Sequence, residues 1–181
     1  MKVFRYLISL FLLFLLPGCP SGPDQTHSGE IILSSELFGT LTWYVQGYRF
    51  ETEEYVNYPG TSDVPDLLLE NLRRPNGDIV ATGFSSPGNL HAFLLKGTYA
   101  SPSEAGSAYD ALLAADTLSS YSDISDTLRV NQLWLFRSSE GRYAKILVED
   151  ITPAIGLSGT PHYEVLIRYR YQPDDSPALG E

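Results

Sequence analysis

Few residues in this chain are placed to do chemistry. Its three histidines are His27, His91 and His162. No two share the short helical spacing that brings paired imidazoles onto one metal, and the single cysteine, Cys19, offers no thiol cluster. His91 and His162 each fall at the boundary of an expected strand. They could meet in space, although edge histidines are ordinarily solvated or hydrogen-bonded. The loops at 83–87 (Gly-Phe-Ser-Ser-Pro) and 156–160 (Gly-Leu-Ser-Gly-Thr) only approach the G-x-S-x-G nucleophile elbow. No glycine-rich loop ends in Lys-Ser or Lys-Thr to cradle a phosphate. Carboxylates are plentiful, in clusters at Glu51, Glu53 and Glu54, at Asp63 and Asp66, and at Asp123 and Asp126. The last cluster lacks the ordered oxygen ligands of a calcium loop. Acidic residues are mostly exposed, so the expectation is a non-enzymatic chain with no metal and no cofactor. The enzymatic alternative is a carboxylate-dependent hydrolase acting through buried acids such as Asp66 and Glu70, which must then flank one cleft.

Aromatic residues are the better lead. Twelve Tyr, eight Phe and two Trp are many for 181 residues. Tyr and Trp suit interfaces because they bury area yet keep a polar tip. Tyr44, Tyr143 and Tyr163 fall on strand faces opposite the expected core. A sheet covered on both faces would also account for them.

The elements that must position these residues are mostly strands. Residues 131–137 and 142–149 read as a hairpin around Ser138-Ser139-Glu140-Gly141, with Gly141 free to take positive φ. Ala144, Ile146 and Val148 should face the core, with Tyr143, Lys145 and Leu147 opposite. Residues 162–171 alternate too, Val165, Ile167, Tyr169 and Tyr171 facing inward. A second hairpin is expected at Pro75-Asn76-Gly77-Asp78, where Asn76 and Gly77 supply the positive φ of a tight turn. Its flanks are 66–72 and 79–84. Further strands are expected at 31–33, 40–50 and 90–99, the last with Phe93 and Leu95 on one side. One helix is expected over about 102–115, with Ser101 as N-cap, Pro102 in the first turn and Glu104 closing a capping box. Ala105, Tyr109, Leu112 and Leu113 recur at helical spacing. The fold class is therefore mainly β, an antiparallel sheet or sandwich with one packed helix. It forms a single domain over 30–172, and 173–181 reads as a disordered tail.

The N-terminus has its own logic. Lys2 and Arg5 precede eleven residues, 6–16, with one weakly polar member. That run is too short to span a bilayer core of about 30 Å but suits an export signal. It ends Leu16-Pro17-Gly18-Cys19, which resembles the lipobox of bacterial lipoproteins. The resemblance implies removal of a signal peptide, 1–18, and acylation of Cys19 by fatty acids such as palmitate. It places the chain in the cell envelope, tied to the membrane through that lipid. Pro20 rather than Asp after the cysteine is similar to outer-membrane sorting in a Gram-negative host. Residues 19–29 then read as the acylated cysteine and a flexible tether, polar and rich in Gly and Pro. Removal of 1–18 takes two of the 12 basic residues and none of the 22 acids, leaving a net charge of −12. Such a surface repels nucleic acid and anionic headgroups.

Two C-terminal segments carry a second resemblance. Leu133-Trp134-Leu135-Phe136-Arg137 with Gly141-Arg142-Tyr143-Ala144-Lys145-Ile146, and Tyr163 through Arg168-Tyr169-Arg170-Tyr171, are similar to the hairpin and closing strand of HmuY-like lipoproteins. The resemblance implies a β-rich, lipid-anchored fold. It also raises haem or another tetrapyrrole as a ligand. That family's paired His or Met ligands have no match here beyond His91, with His162 the remaining candidate partner. The leading expectation is a lipid-anchored extracytoplasmic module that binds or interacts without catalysis.

Overall fold

Periodic burial and turn chemistry place nine strands and one helix among the described residues. The computed structural model describes residues 26–39, 42–60 and 63–180. The expected signal segment, Cys19 and the tether as far as residue 25 lie outside them. In chain order come β1 (His27–Ser34), β2 (Val45–Arg49), β3 (Glu54–Tyr58), β4 (Leu68–Arg73), β5 (Ile79–Ser85) and β6 (Phe93–Thr98). The helix α1 (Pro102–Ala111) follows, then β7 (Gln132–Arg137), β8 (Tyr143–Ile155) and β9 (Pro161–Gln172). The fold is mainly β, with antiparallel sheets and a single short helix.

The central sheet runs β1-β9-β8-β7-β6. β6 to β9 form a meander, and β1 adds to the outer edge of β9. The hairpins β2–β3 and β4–β5 cover one face. Ala144, Ile146 and Val148 of β8 and Val165, Ile167, Tyr169 and Tyr171 of β9 meet Tyr48, Phe50, Leu69 and Phe84 from those hairpins in one buried cluster. Phe50 is its centre, with ring centroids 5.0 Å from Tyr169, 5.4 Å from Phe136 and 5.5 Å from Tyr171. Each such side chain contributes roughly 1.5–3 kcal/mol of burial.

The opposite face of the sheet is covered as well. Leu133 and Leu147 pack on Ala105 and Tyr109 of α1, while Leu135 and Tyr143 pack on Tyr121 and Leu179. Lys145 lies beneath this layer, 2% exposed. Its ammonium donates to the carbonyls of Tyr109 (2.8 Å) and Leu112 (3.0 Å) at the end of the helix. Burial, reinforced by neighbouring Arg170, pushes its pKa down.

Several expectations change. The helix stops at Ala111, not near 115, because Leu112 turns extended (φ −81°, ψ 92°). Leu112 and Ala115 still pack inward, but from extended backbone. The tail at 173–181 is ordered through its described part: the Ala115 N–H donates to the Pro177 carbonyl, the Leu179 N–H to the Leu113 carbonyl, and Leu179 is fully buried. The tether gives up residues 27–29 to β1, where His27 faces Tyr171 and Gly29 faces Tyr169. Tyr143, expected on an open face, is buried by Tyr121 and Leu179. Leu95 is 41% exposed although Phe93 is buried: β6 is an edge strand, and its register shifts just past Leu95, between Leu95 and Gly97. β3 was not expected at all, its segment reading only as charge.

Both predicted turns are three-residue loops rather than two-residue ones. Gly141 (φ +87°) donates to the Ser138 carbonyl, and Ser138 to that of Arg142. Gly77 (φ +91°) donates to the Arg74 carbonyl, and Arg74 to that of Asp78. Only the glycine of each is left-handed; Asn76 keeps negative φ and instead accepts the Asp78 N–H on its side chain.

The sheet has two distinct ends. His27, where the described chain enters, shares a rung with Tyr171, Ala144, Phe136 and Phe93. The Gly141 turn and the β2–β3 connection also lie at this entry end, the latter through Glu53, 3.8 Å from His27. The far end holds the β8–β9 hairpin and Ser35, just past β1, whose N–H donates to the Tyr163 carbonyl.

Candidate functional site

Beyond Ser34 the chain cannot continue as sheet edge, and it folds back on itself. Phe38 and Tyr44 exchange both backbone hydrogen bonds (2.9 and 3.0 Å), and their rings stack at 5.6 Å. Gly39 (φ +103°) allows the tight approach, since a Cβ there would sit 2.1 Å from the Thr42 carbonyl oxygen. This small ribbon presents Trp43, half its surface in solvent. Beside it, β2 and β4 are joined by a bridge between Tyr48 and Leu67. Past that bridge a groove of about 330 Å³ opens. Trp43, Tyr44 and Tyr58 supply aromatic surface, Leu68 and Leu69 line it from β4, and Glu70 and Arg73 are polar members.

A buried polar node holds this groove in shape. The Ser35 hydroxyl donates to Asn71 Oδ1 (2.6 Å) and accepts from the Tyr163 N–H (2.9 Å). Asn71 Nδ2 returns a bond to the Ser35 carbonyl (3.1 Å). Three strands, β1, β4 and β9, are thereby locked at the groove. Glu70 Oε1 accepts from the Ser85 hydroxyl (2.5 Å), and no partner engages its Oε2 among the described residues. The volume falls at the small end of ligand sites, about 300–1,000 Å³, and the mixture of apolar wall and few polar groups is typical of them.

A second cleft, about 260 Å³, lies at the entry end and is polar. Asp66 accepts the Phe50 N–H (2.9 Å) there, and burial raises its carboxyl pKa against that bond and nearby Arg49. Its other acids are paired: Arg142, beside the cleft, contacts Glu51 (2.8 Å) and Glu140 (3.1 Å), and Arg49 contacts Asp63 (3.5 Å). Glu70 lines the far-end groove instead. The two acids thus line different clefts instead of flanking one, and Glu70 Oε1 is already engaged by Ser85. The expected hydrolase pair is therefore not formed.

The histidines are also kept apart. His91, with φ +77°, is exposed, its Nδ1 3.0 Å from Asp123 and 3.2 Å from the Tyr121 carbonyl. It stands two residues before Phe93, on the entry-end rung. His162 pairs with Ala154, ten residues farther along β8 than Ala144, or roughly 30 Å. The two cannot ligate one iron. His162 is 4% exposed, and neither of its ring nitrogens has a hydrogen-bond partner among the described residues. Its nearest charge is Glu164, at 3.8 Å. No group of three or more His, Cys, Asp or Glu gathers into a metal-holding cluster among the described residues.

Of the aromatic residues singled out from sequence, Tyr44 lines the groove, Tyr143 is core, and Tyr163 supports the node through its backbone. Trp43, Tyr58 and Arg73 were missed as site residues. The signal for the first was present: two adjacent aromatics, Trp43-Tyr44, cannot both face a core from extended chain. Compared with known proteins, the chain matches no family model, no curated protein and no solved structure.

Proposed function

We propose that this protein is a cell-envelope lipoprotein, exported by residues 1–18 and acylated on Cys19, whose β-rich domain binds a ligand without catalysis. The binding site is the far-end aromatic groove. The observation that carries this reading is the groove's position, at the opposite end of the domain from His27. Cys19 lies eight positions before His27, a reach of at most about 28 Å, so an anchored chain keeps its entry end nearest the bilayer. The groove then faces outward. A net charge of −12 on the processed chain also keeps the domain off anionic headgroups. Pro20 after the acylated cysteine supports outer-membrane placement in a Gram-negative host.

Anchoring through one residue is simple to test. Cys19→Ala should shift the protein from membrane to soluble fractions while its melting temperature stays unchanged. Retention in the membrane after a carbonate wash would refute the lipid anchor.

A further inference from the structure

We infer that the far-end groove takes a neutral sugar, one or two pyranose rings long. This rests on the groove being the binding site. A pyranose has an apolar C–H face and a rim of hydroxyls. The groove has the complementary halves: the aromatic residues Trp43, Tyr44 and Tyr58, and polar Glu70 and Arg73, all on its lining. Glu70 Oε2, without a partner among the described residues, can accept a hydrogen bond from a sugar hydroxyl, while Oε1 is held by Ser85. Arg73 spends one guanidinium nitrogen on the Gly77 carbonyl (2.8 Å), which leaves further N–H donors. The platform is preformed. Tyr44 is braced from behind by the Phe38 ring, and the Ser35–Asn71 bonds fix the strand that carries Glu70. Preorganisation of this kind lowers the ordering cost of a weak ligand.

Other ligand classes fit less well. Haem would need an axial ligand, and the groove offers no His, Cys or Met, only the phenols of Tyr44 and Tyr58. A nucleotide or acidic glycan would need net positive charge, whereas Glu70 offsets Arg73 in a chain that is strongly acidic overall. An extended peptide adding to β4 needs open backbone, and Leu68 and Leu69 are 3% and 0% exposed. The volume of about 330 Å³ limits the ligand to a short one.

The test is a tryptophan-fluorescence titration of the native lipoprotein in a non-glycosidic detergent. Trp43 is half exposed and Trp134 is 3% exposed, so a surface ligand reports through the former. The probes are cellobiose, maltose, lactose and N,N′-diacetylchitobiose, with galacturonic acid, hemin and an unstructured peptide library as contrasts. A saturable change is expected with at least one neutral disaccharide. Isothermal titration, which does not depend on the reporter, should show at least tenfold weaker binding for Trp43→Ala and Glu70→Gln and partial recovery for Trp43→Phe. Circular dichroism should match wild type. No saturation with any neutral sugar, or binding undiminished in Trp43→Ala, overturns the inference. Trp43-dependent binding of hemin, the uronic acid or peptide alone overturns the sugar assignment while leaving the groove as the site.

Discussion

Raising the pH should unfold this domain from its tyrosines outward. Tyr121 and Tyr171 are 5% and 1% exposed, and burial pushes each phenol up to about 12. Tyr109 and Tyr169, equally buried, are pushed up in the same sense, Tyr169 further by its hydrogen bond with Tyr48. The folded values lie above the unfolded value of about 10, so the unfolded chain gives up its phenol protons first. Stability from these groups is complete below about pH 10 and is lost as the pH climbs through 10 to 12. At pH 11 each of Tyr121 and Tyr171 forfeits about 1.4 kcal/mol, one pH unit's worth. The pair therefore removes roughly 3 kcal/mol, and Tyr109 and Tyr169 add to it. That is a large share of the 5–15 kcal/mol typical of a domain. Lys145 acts oppositely, because its depressed pKa relieves a burial penalty as the pH approaches 10.5, but one lysine opposes four tyrosines. Urea midpoints at pH 8, 10 and 11, read beside tyrosinate absorbance, make the assay. Little change to pH 10 and a steep fall by pH 11 are expected, with most tyrosinate appearing only on unfolding. Smooth tyrosinate titration near pH 10 in a domain that stays folded would refute the buried-phenol argument.

Two substitutions and a truncation probe the frame around the groove. Gly141→Val should lower the melting temperature by about 3–8 °C, from roughly 1–2 kcal/mol of left-handed strain at φ +87°; no side-chain clash contributes, since nothing lies within 4 Å of a Cβ there. An unchanged melting temperature would mean the turn tolerates a β-branched residue. Ser35→Ala removes the hydroxyl's bonds to Asn71 and Tyr163 at the node and should cost about 1–3 kcal/mol in urea unfolding, and a variant as stable as wild type would show the node to be dispensable. Truncation after Asp175 discards the buried Leu179 and should lower stability by about 1.5–3 kcal/mol, whereas an unaltered urea midpoint would return the tail to an inert stub.

What could be read from sequence follows from physics local to the chain. The Ser138–Gly141 turn, the capping box at Ser101 and Glu104, and the inward set Val165, Ile167, Tyr169 and Tyr171 were legible because each depends on neighbours a few residues away. Residues 27–29 were not. Their Gly and Ser content looks like linker, and only the open edge of β9, more than 130 residues later, makes them a strand. The edge they form is protected in turn by Tyr55, whose hydroxyl donates to the Ile32 carbonyl (2.8 Å) and accepts its N–H (3.2 Å). The tail failed for the same reason, since Leu179 is one apolar residue among polar ones and its pocket is built by Tyr121, Leu135 and Tyr143. The second face of the central sheet was half legible: Lys145 marked it as solvent-facing, yet its ammonium satisfies the end of α1. The groove was least legible, because its walls come from four separate segments.

The proposed anchor sets which end of the domain faces the bilayer. The proposed acylation would consume the sequence's single thiol, Cys19, so a new cysteine at Glu140 or Leu157 would be a unique labelling site. Both positions are exposed, the first at the entry end and the second at the far end. They are separated by the length of β8, about 35–40 Å. With each labelled variant in vesicles carrying a headgroup energy acceptor, transfer should be strong from position 140 and weak from position 157. Equal or reversed transfer, or thiol labelling of the parent chain itself, would contradict the anchored, outward-facing arrangement.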